Sequence, residues 1–409
     1  MISNVLYWLR ASLVSPPGGA TADPQRGAIY RAALQQFEEL LHAAEATGYA
    51  ARPLPLFYAL AQAGRAIVAC RGGEPASRHG LRVRDEDLCS EDPFEWLVSP
   101  REDGWFQAVA VATRSPALAQ PAPLGALMAS LPELSIPMLR GNEYLRALYV
   151  EPLPGPDPER LPIDGFRWLR VGIAIDRDAA TSPEDVKALL LRYPAAAQAG
   201  YRLPPISGGG EYIERWPTAA GDSLCVLLRE QSPIGPLRTT RDTLDAIVPQ
   251  YRWAGRRWLR PALSGAEAPP FALMTWWALL FGLSMLARYH PAKWAVALDR
   301  QRSQAATELE RAMDLALAAV PHLVLEAVAS HSVLAYLQLL EGICRSPRAS
   351  EARLCTEARP PVPHLDAGAR DFSADGARSR FSQRERRKLL GADQLDPGRG
   401  KSRGLMPRE

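Results

Sequence analysis

Cysteine and histidine are both scarce in this chain. Five cysteines (Cys70, Cys89, Cys225, Cys344 and Cys355) stand among 409 residues with no Cys-x-x-Cys pair and no regular spacing. An odd, scattered set does not make a disulfide framework; small buried thiols in a reducing compartment are expected instead. Of the six histidines, His322 and His331 lie nine apart with no cysteine pair near them at ligand spacing, so neither zinc nor another metal or cofactor is expected. The first ten residues have no basic segment ahead of an apolar one and are broken by Arg10, which excludes a good signal peptide. Residues 271–287 form an uncharged run of 17 that includes Thr275, Gly282 and Ser284 and stops at Arg288. A membrane span wants about 20 apolar residues, so this run predicts a buried core helix, and no membrane partner is expected. The location expected from all this is cytoplasmic.

Charge of one sign is lacking as well. Residues 345–409 hold 15 basic against 9 acidic residues, a surplus larger than the net +3 of the whole chain, so the body is slightly acidic. Such a body has no global attraction for nucleic acid or an anionic membrane. The triplet Gly208-Gly209-Gly210 is followed by no Lys-Ser/Thr, which makes it a turn rather than a phosphate loop.

What is present is an ordinary globular composition, 47% apolar and 23% charged, on a chain long enough for two or three domains. Residues 28–46 place Ala33, Phe37, Leu40, Leu41 and Ala44 on one helical face. Pro53 and Pro55 open a second helix, with Leu56, Leu60, Ala63 and Ile67 in a stripe, and Gly72-Gly73 stops it. Residues 94–98 and 105–111 predict a hairpin around a medium loop. A strand is expected over residues 166–175. A helix capped by Ser182 follows, with Pro183, Glu184 and Asp185 in its first turn. Residues 211–216 and 223–229 predict a strand pair, and residues 251–253 and 257–259 a last hairpin. Helices return at residues 271–289, at 303–320 with Pro321 as the limit, and at 322–343. Beyond Arg345 apolar periodicity disappears, which predicts a disordered basic tail.

The fold class expected is therefore α+β and mostly α-helical, a helical unit made from the N- and C-terminal parts with a β-rich middle segment. The expected divisions are an N-terminal segment and linker (1–24), a helical part with a hairpin (25–150), the β-rich middle (151–262), C-terminal helices (263–344) and the tail (345–409).

Three stretches carry a resemblance. One is Pro55-Leu56-Phe57-Tyr58-Ala59-Leu60-Ala61-Gln62-Ala63-Gly64-Arg65-Ala66, followed by His79-Gly80-Leu81. The second is Leu127-Met128-Ala129-Ser130-Leu131-Pro132-Glu133-Leu134. The third, the most specific, is Leu283-Ser284 with Arg288-Tyr289 and Trp294. In order and spacing they resemble the YaaC-like family of bacterial proteins over roughly residues 25 to 345. That resemblance implies a fold and carries no biochemical activity. The first stretch is more faintly similar to HEPN-type helical domains, some of which cut RNA with a neighbouring arginine and histidine. Here Arg71 and His79 have seven residues between them, including Gly72, Gly73 and Pro75, and cannot share a helix face; Arg78 is adjacent to His79 and points elsewhere.

No catalytic triad order, metal-ligand helix, nucleotide fingerprint or carboxylate pair stands out. The leading expectation is a non-catalytic binding or assembly protein, whose partner is a protein, a second copy, RNA or another anionic ligand. The alternative is a ribonuclease using His79 with Arg71 or Arg78. Candidate ligand-binding residues are Tyr58, Arg65, His79, Arg288 and Tyr289. His79 is either a general acid–base or the fixer of its own turn. Arg65 is either an anion ligand or a paired surface arginine. Arg288 either faces a pocket with His79 or complements the end of its helix. Tyr251, Arg252, Trp253, Arg256, Arg257, Trp258 and Arg260 interleave bases and aromatics, as single-stranded nucleic acid requires or as an amphipathic hairpin would show. The run Arg384, Arg386, Arg387 and Lys388 in the tail is a solvated charge cluster or a weak polyanion contact.

A tail with no apolar pattern cannot offset the entropy of ordering it. Removing residues 346–409 is expected to leave the calorimetric melting temperature nearly unchanged. A fall of many degrees would mean that the tail docks on the body.

Overall fold

Helices that are apolar on most of their circumference must be enclosed on several sides, and two such helices, distant in sequence, organise this chain. The structure, a computed structural model, describes residues 2–134, 144–153, 168–205, 210–218, 221–229, 240–248, 250–251 and 255–329. The expected tail and the last helix beyond Ala329 lie outside the described residues. The chain begins with α1 (Ile2–Val14), α2 (Gly19–Ala22), α3 (Pro24–Glu45) and α4 (Pro53–Arg71). Short strands β1 (Leu81–Arg82), β2 (Leu97–Pro100) and β3 (Ala122–Pro123) alternate with α5 (Trp105–Ala112), and α6 (Leu124–Ala129) follows. The middle holds β4 (Leu148–Pro152), β5 (Trp168–Ile173), α7 (Pro183–Leu190), α8 (Pro194–Ala199), β6 (Tyr201–Arg202), β7 (Arg215–Thr218), β8 (Gly221–Arg229), α9 (Thr240–Ile247), β9 (Gln250–Tyr251) and β10 (Arg256–Leu259). Then come α10 (Ala272–Tyr289), α11 (Pro291–Ala297) and α12 (Ala306–Val328). The fold is α+β and mostly helical, with two sheets.

One hydrophobic core draws on both ends of the chain. Val5, Leu6 and Leu9 of α1, Tyr30, Leu34 and Phe37 of α3, and most of α4 pack with α10 and with Leu309, Met313 and Val320 of α12. Helix α4 lies at the centre, against α3, α5, α10 and α12. Gly72 takes φ +89° just after it, a conformation open to glycine, and ends the helix there. Asp23 caps α3 by accepting from the N–H groups of Gln25 (2.8 Å) and Arg26 (3.3 Å), which starts that helix ahead of residue 28. Helix α10 is buried from Ala272 through Ser284. Among the described residues no helix is long and apolar enough to cross a membrane.

A second core fills one face of the larger sheet. Its strands run β6-β8-β5-β4-β10-β9, with β7 paired to β8, and every pairing is antiparallel. Alternation sends Val150, Leu169, Val171, Ile173, Leu224, Val226 and Leu228 inward. Val186, Leu190, Ala196, Leu244 and Val248 from α7, α8 and α9 cover them. Ser182 and Asp185 form the expected reciprocal cap of α7.

Two sequence expectations are corrected, and a third is shifted: of the strand expected over residues 211–216 only Arg215 and Trp216 fall in β7, which continues to Thr218. Residues 105–111 form α5, not the second strand of a hairpin. Alternation would have put Trp105, Gln107, Val109 and Val111 on one face, yet Phe106, Val109 and Ala110 are buried while Val111 is exposed, a spacing of three and one that belongs to a helix. The partners of β2 are instead β1 and β3. The second correction concerns Pro321, which does not end its helix: α12 runs through it to Val328. An interior proline costs about 3 kcal/mol. Val320, Leu323 and Val324 beside it are buried, and burial of each such side chain contributes about 1.5–3 kcal/mol, so packing outweighs the break.

Helix α10 packs closely through two glycine positions, against α4 at Gly64 and against β2 and α6 at Gly282. A Cβ on Gly64 would lie 2.3 Å from the Trp277 ring, and one on Gly282 would lie 2.7 Å from Val98 Cγ2. Overpacking of this kind typically costs about 1–3 kcal/mol. Gly64→Ala and Gly282→Leu are each expected to lower the unfolding free energy by about that amount in denaturant titrations. An unchanged midpoint for Gly64→Ala would mean that α4 and α10 are not in contact there, and for Gly282→Leu that α10 does not pack on Val98 and Leu124.

Candidate functional site

The seam between α4 and α10 reaches the surface at one end, and polar side chains collect there. Along the open stripe of α4, Tyr58, Gln62 and Arg65 follow at spacings of four and three while their neighbours turn inward. Helix α10 becomes exposed only in its last turn, at Arg288 and Tyr289. Arg288 Nη1 donates to the Tyr58 hydroxyl at 3.0 Å, and its guanidinium lies 4.9 Å from the centre of the Tyr289 ring. Arg65 Nη1 donates to Gln62 Oε1 at 3.3 Å, and its guanidinium lies 5.5 Å from the centre of Trp105. Neither arginine has a carboxylate partner among the described residues.

His79 enters from the turn that follows α4. The Arg78 and His79 carbonyls accept from the N–H groups of Trp105 (2.8 Å) and Phe106 (3.1 Å), which pins the turn to the start of α5. Two glycines make this approach possible. Gly80 has φ +85° and Gly104 φ +136°, and a Cβ on Gly104 would lie 2.3 Å from Gly80 N. The imidazole is exposed on one side and rests on Phe57 and Phe281, with ring centres 5.2 and 6.0 Å away. Desolvation against those rings, followed by the charges of Arg288 and Arg65, pushes its pKa below the ordinary histidine range. The neutral imidazole is therefore the form present at pH 7.

Tyr58, Arg65, His79, Arg288 and Tyr289 are thus brought together, with Trp105 and Gln62 as members that sequence patterns did not single out. Trp105 was hidden by the assignment of its segment to a strand. Arg71 and Arg78 turn elsewhere. Arg71 donates through Nε to Ala327 O (2.7 Å) and through Nη2 to Ala329 O (2.9 Å), capping the end of α12. Arg78 faces Asp103 at 4.0 Å, with both side chains exposed.

The basic and aromatic segment near β9 and β10 is dispersed. Arg257 binds Asp245. Arg260 is half-buried, donating to Ser130 O (3.2 Å) and Thr275 Oγ1 (2.9 Å). Tyr251 donates to Glu133 Oε1 at 2.7 Å. Arg256 and Trp258 stay on the outer face of the sheet beside Tyr149, the arginine 5.4 Å and the indole 5.6 Å from its ring centre. Arg252 and Trp253 lie outside the described residues, as do Gly208, Gly209 and the tail cluster. Glu133 is nearly inaccessible, and burial pushes its carboxyl above the usual carboxylate range against the opposing hydrogen bond from Tyr251. Its Oε2 has no hydrogen-bond partner among the described residues.

These features define an α+β protein in which the two chain ends share a helical core and a basic, aromatic surface caps their seam. A model of the family described as YaaC-like Protein matches residues 19–164 and 210–328. The match spans more than half of the sequence, and the chain belongs to the YaaC-like family. Neither a curated protein nor a solved structure matches it. The motif residues noted in the sequence have physical roles in this arrangement. Arg288 meets Tyr58, Glu133 receives Tyr251 and lies 3.4 Å from Trp276 Nε1, and Trp294 Nε1 donates to Ala50 O at 2.9 Å.

The sign of the His79 shift fixes its pH behaviour. A folded pKa below the unfolded value of about 6.5 stabilises the fold fully above that value, and the contribution is lost as pH falls toward the folded pKa. In imidazole NMR titrations His79 is expected to titrate below an unfolded reference. Arg288→Gln and Arg65→Gln are each expected to move it upward. A His79 that titrates at or above the reference, or ignores both variants, would contradict this geometry.

Proposed function

We propose that the chain is a non-catalytic binding protein of the cytoplasm and that its ligand is anionic, received on the surface formed by Tyr58, Arg65, His79, Arg288 and Tyr289. One observation carries this reading: two guanidiniums with no carboxylate partner among the described residues act together on a single imidazole. Their own charge disfavours protonation of His79, and an anion placed between them would relieve that repulsion. Trp105 and Tyr289 hold the two guanidiniums against aromatic faces, which limits their freedom before a ligand arrives. The buried free thiols Cys70 and Cys225 suit the reducing compartment expected from the sequence. On the same reading residues 25–150 and 263–344 make the binding unit, and residues 151–262 are an insertion in it. A ribonuclease has no observation in its favour, since the charges acting on His79 are those of Arg288 and Arg65 and not those of Arg71 or Arg78.

Fluorescence anisotropy at low salt with a labelled single-stranded RNA dodecamer, competed by unlabelled polyglutamate, tests the proposal. Each charged hydrogen bond is worth about 1.5–3 kcal/mol, so Arg65→Ala with Arg288→Ala is expected to weaken binding about a hundredfold while the circular dichroism stays unchanged. Binding is also expected to tighten as pH falls, and His79→Ala is expected to remove that dependence. Absence of binding to both probes, or equal binding by the double variant, would refute the proposal.

A further inference from the structure

A cleft of about 390 Å³ opens at the other end of α4, lined in part by Arg71, Ala112, Arg114, Phe271 and Glu326. Its size is at the lower end of the range for small-molecule sites. Arg114 follows α5 with φ +55°, a left-handed conformation that glycine adopts without strain. Ser264 is the other non-glycine residue with positive φ among the described residues, and its hydroxyl donates to Gln120 O. The Arg114 backbone closes the end of α5, its N–H donating to Val111 O (3.1 Å) and that of Ser115 to Ala110 O (2.8 Å), while its exposed guanidinium has no hydrogen-bond or ion-pair partner among the described residues. A long cationic side chain thus occupies a position where a glycine would be less strained, and it points its charge at a cleft. Arg71 is the second cation there. Its Nε and Nη2 are spent on the end of α12, which fixes the group and leaves Nη1 over. Glu326, the acid of the cleft, already acts on the half-buried Arg260. Phe271 and Ala112 supply an apolar wall.

We propose that this cleft binds a small organic acid, with the carboxylate on Arg114 and Arg71 and the apolar body on Phe271 and Ala112. Two guanidiniums beside an aromatic wall match a carboxylate carried on a short hydrocarbon or aryl group. The site is separate from the surface around His79 and does not depend on that reading.

The test uses the full chain with phenylacetate and hexanoate as probes and phenylacetamide as the neutral control, followed by saturation-transfer NMR and calorimetry. Arg114→Gly is the informative variant, because it relieves the strain while removing the charge; Arg71 caps α12, so its removal would confuse binding with folding. Saturable binding of at least one acid is expected, with the amide clearly weaker. Arg114→Gly is expected to weaken acid binding by about tenfold or more, as loss of one charged hydrogen bond implies. Its melting temperature is expected to be equal or higher, and RNA binding at the His79 surface unchanged. Lack of binding by both acids, equal binding of acid and amide, or equal affinity in Arg114→Gly would each overturn the proposal. So would a marked fall in the melting temperature of that variant.

Discussion

Everything in the helical unit depends on one ring seated in one gap, the indole of Trp277 against the bare backbone of Gly64. The two residues come from α10 and α4, more than two hundred positions apart. Glycine inside a helix costs about 1 kcal/mol relative to alanine. Burial of a large side chain contributes about 1.5–3 kcal/mol, and Trp276, Trp277, Phe57 and Phe281 are all buried at this seam. The local penalty is smaller than what the contact gains. Phe57 meets Trp277 and Phe281 edge-on, at 6.5 and 5.4 Å between ring centres, which sets the rotation of the two helices about their contact.

The surface site is a consequence of that packing. Once Phe57 faces α10, its neighbour Tyr58 must lie at the rim, where the last turn of α10 delivers Arg288. The same two phenylalanines that close the core support the His79 ring from below. A change in the core at Phe57 or Phe281 would therefore reach the imidazole directly, by altering its desolvation, before it changed anything else at the surface. The polar cluster of Glu133, Tyr251 and Arg260 is held by the same helices, since Trp276 lies beside Glu133 and Thr275 receives Arg260. It ties the helical core to the strands of the middle segment.

Legibility from sequence followed the range of the forces involved. The α4 and α10 helices, the Ser182 cap and the strands β5 and β8 are written in local periodicity and cap chemistry, and those could be read directly. Residues 105–111 could not, because seven residues with two aromatics and two valines favour a strand locally and only burial of Phe106, Val109 and Ala110 against the core decides for a helix. Pro321 misled for the same reason: its cost is local, whereas the packing that outweighs it is tertiary. At the site, Tyr58, Arg65, His79 and Arg288 stood out as polar residues in apolar surroundings. Trp105 and the strained Arg114 did not, because a backbone angle and a contact across the fold leave no mark in composition.

Native-state hydrogen exchange on α4 and α10 tests most directly whether the two chain ends form one core. The amides buried in both helices are expected to exchange at the same, global free energy, and to lose protection equally when Gly64 is replaced by alanine. Exchange of α10 at a distinctly lower free energy than α4, or loss of protection confined to one helix, would contradict a single core closed by Trp277.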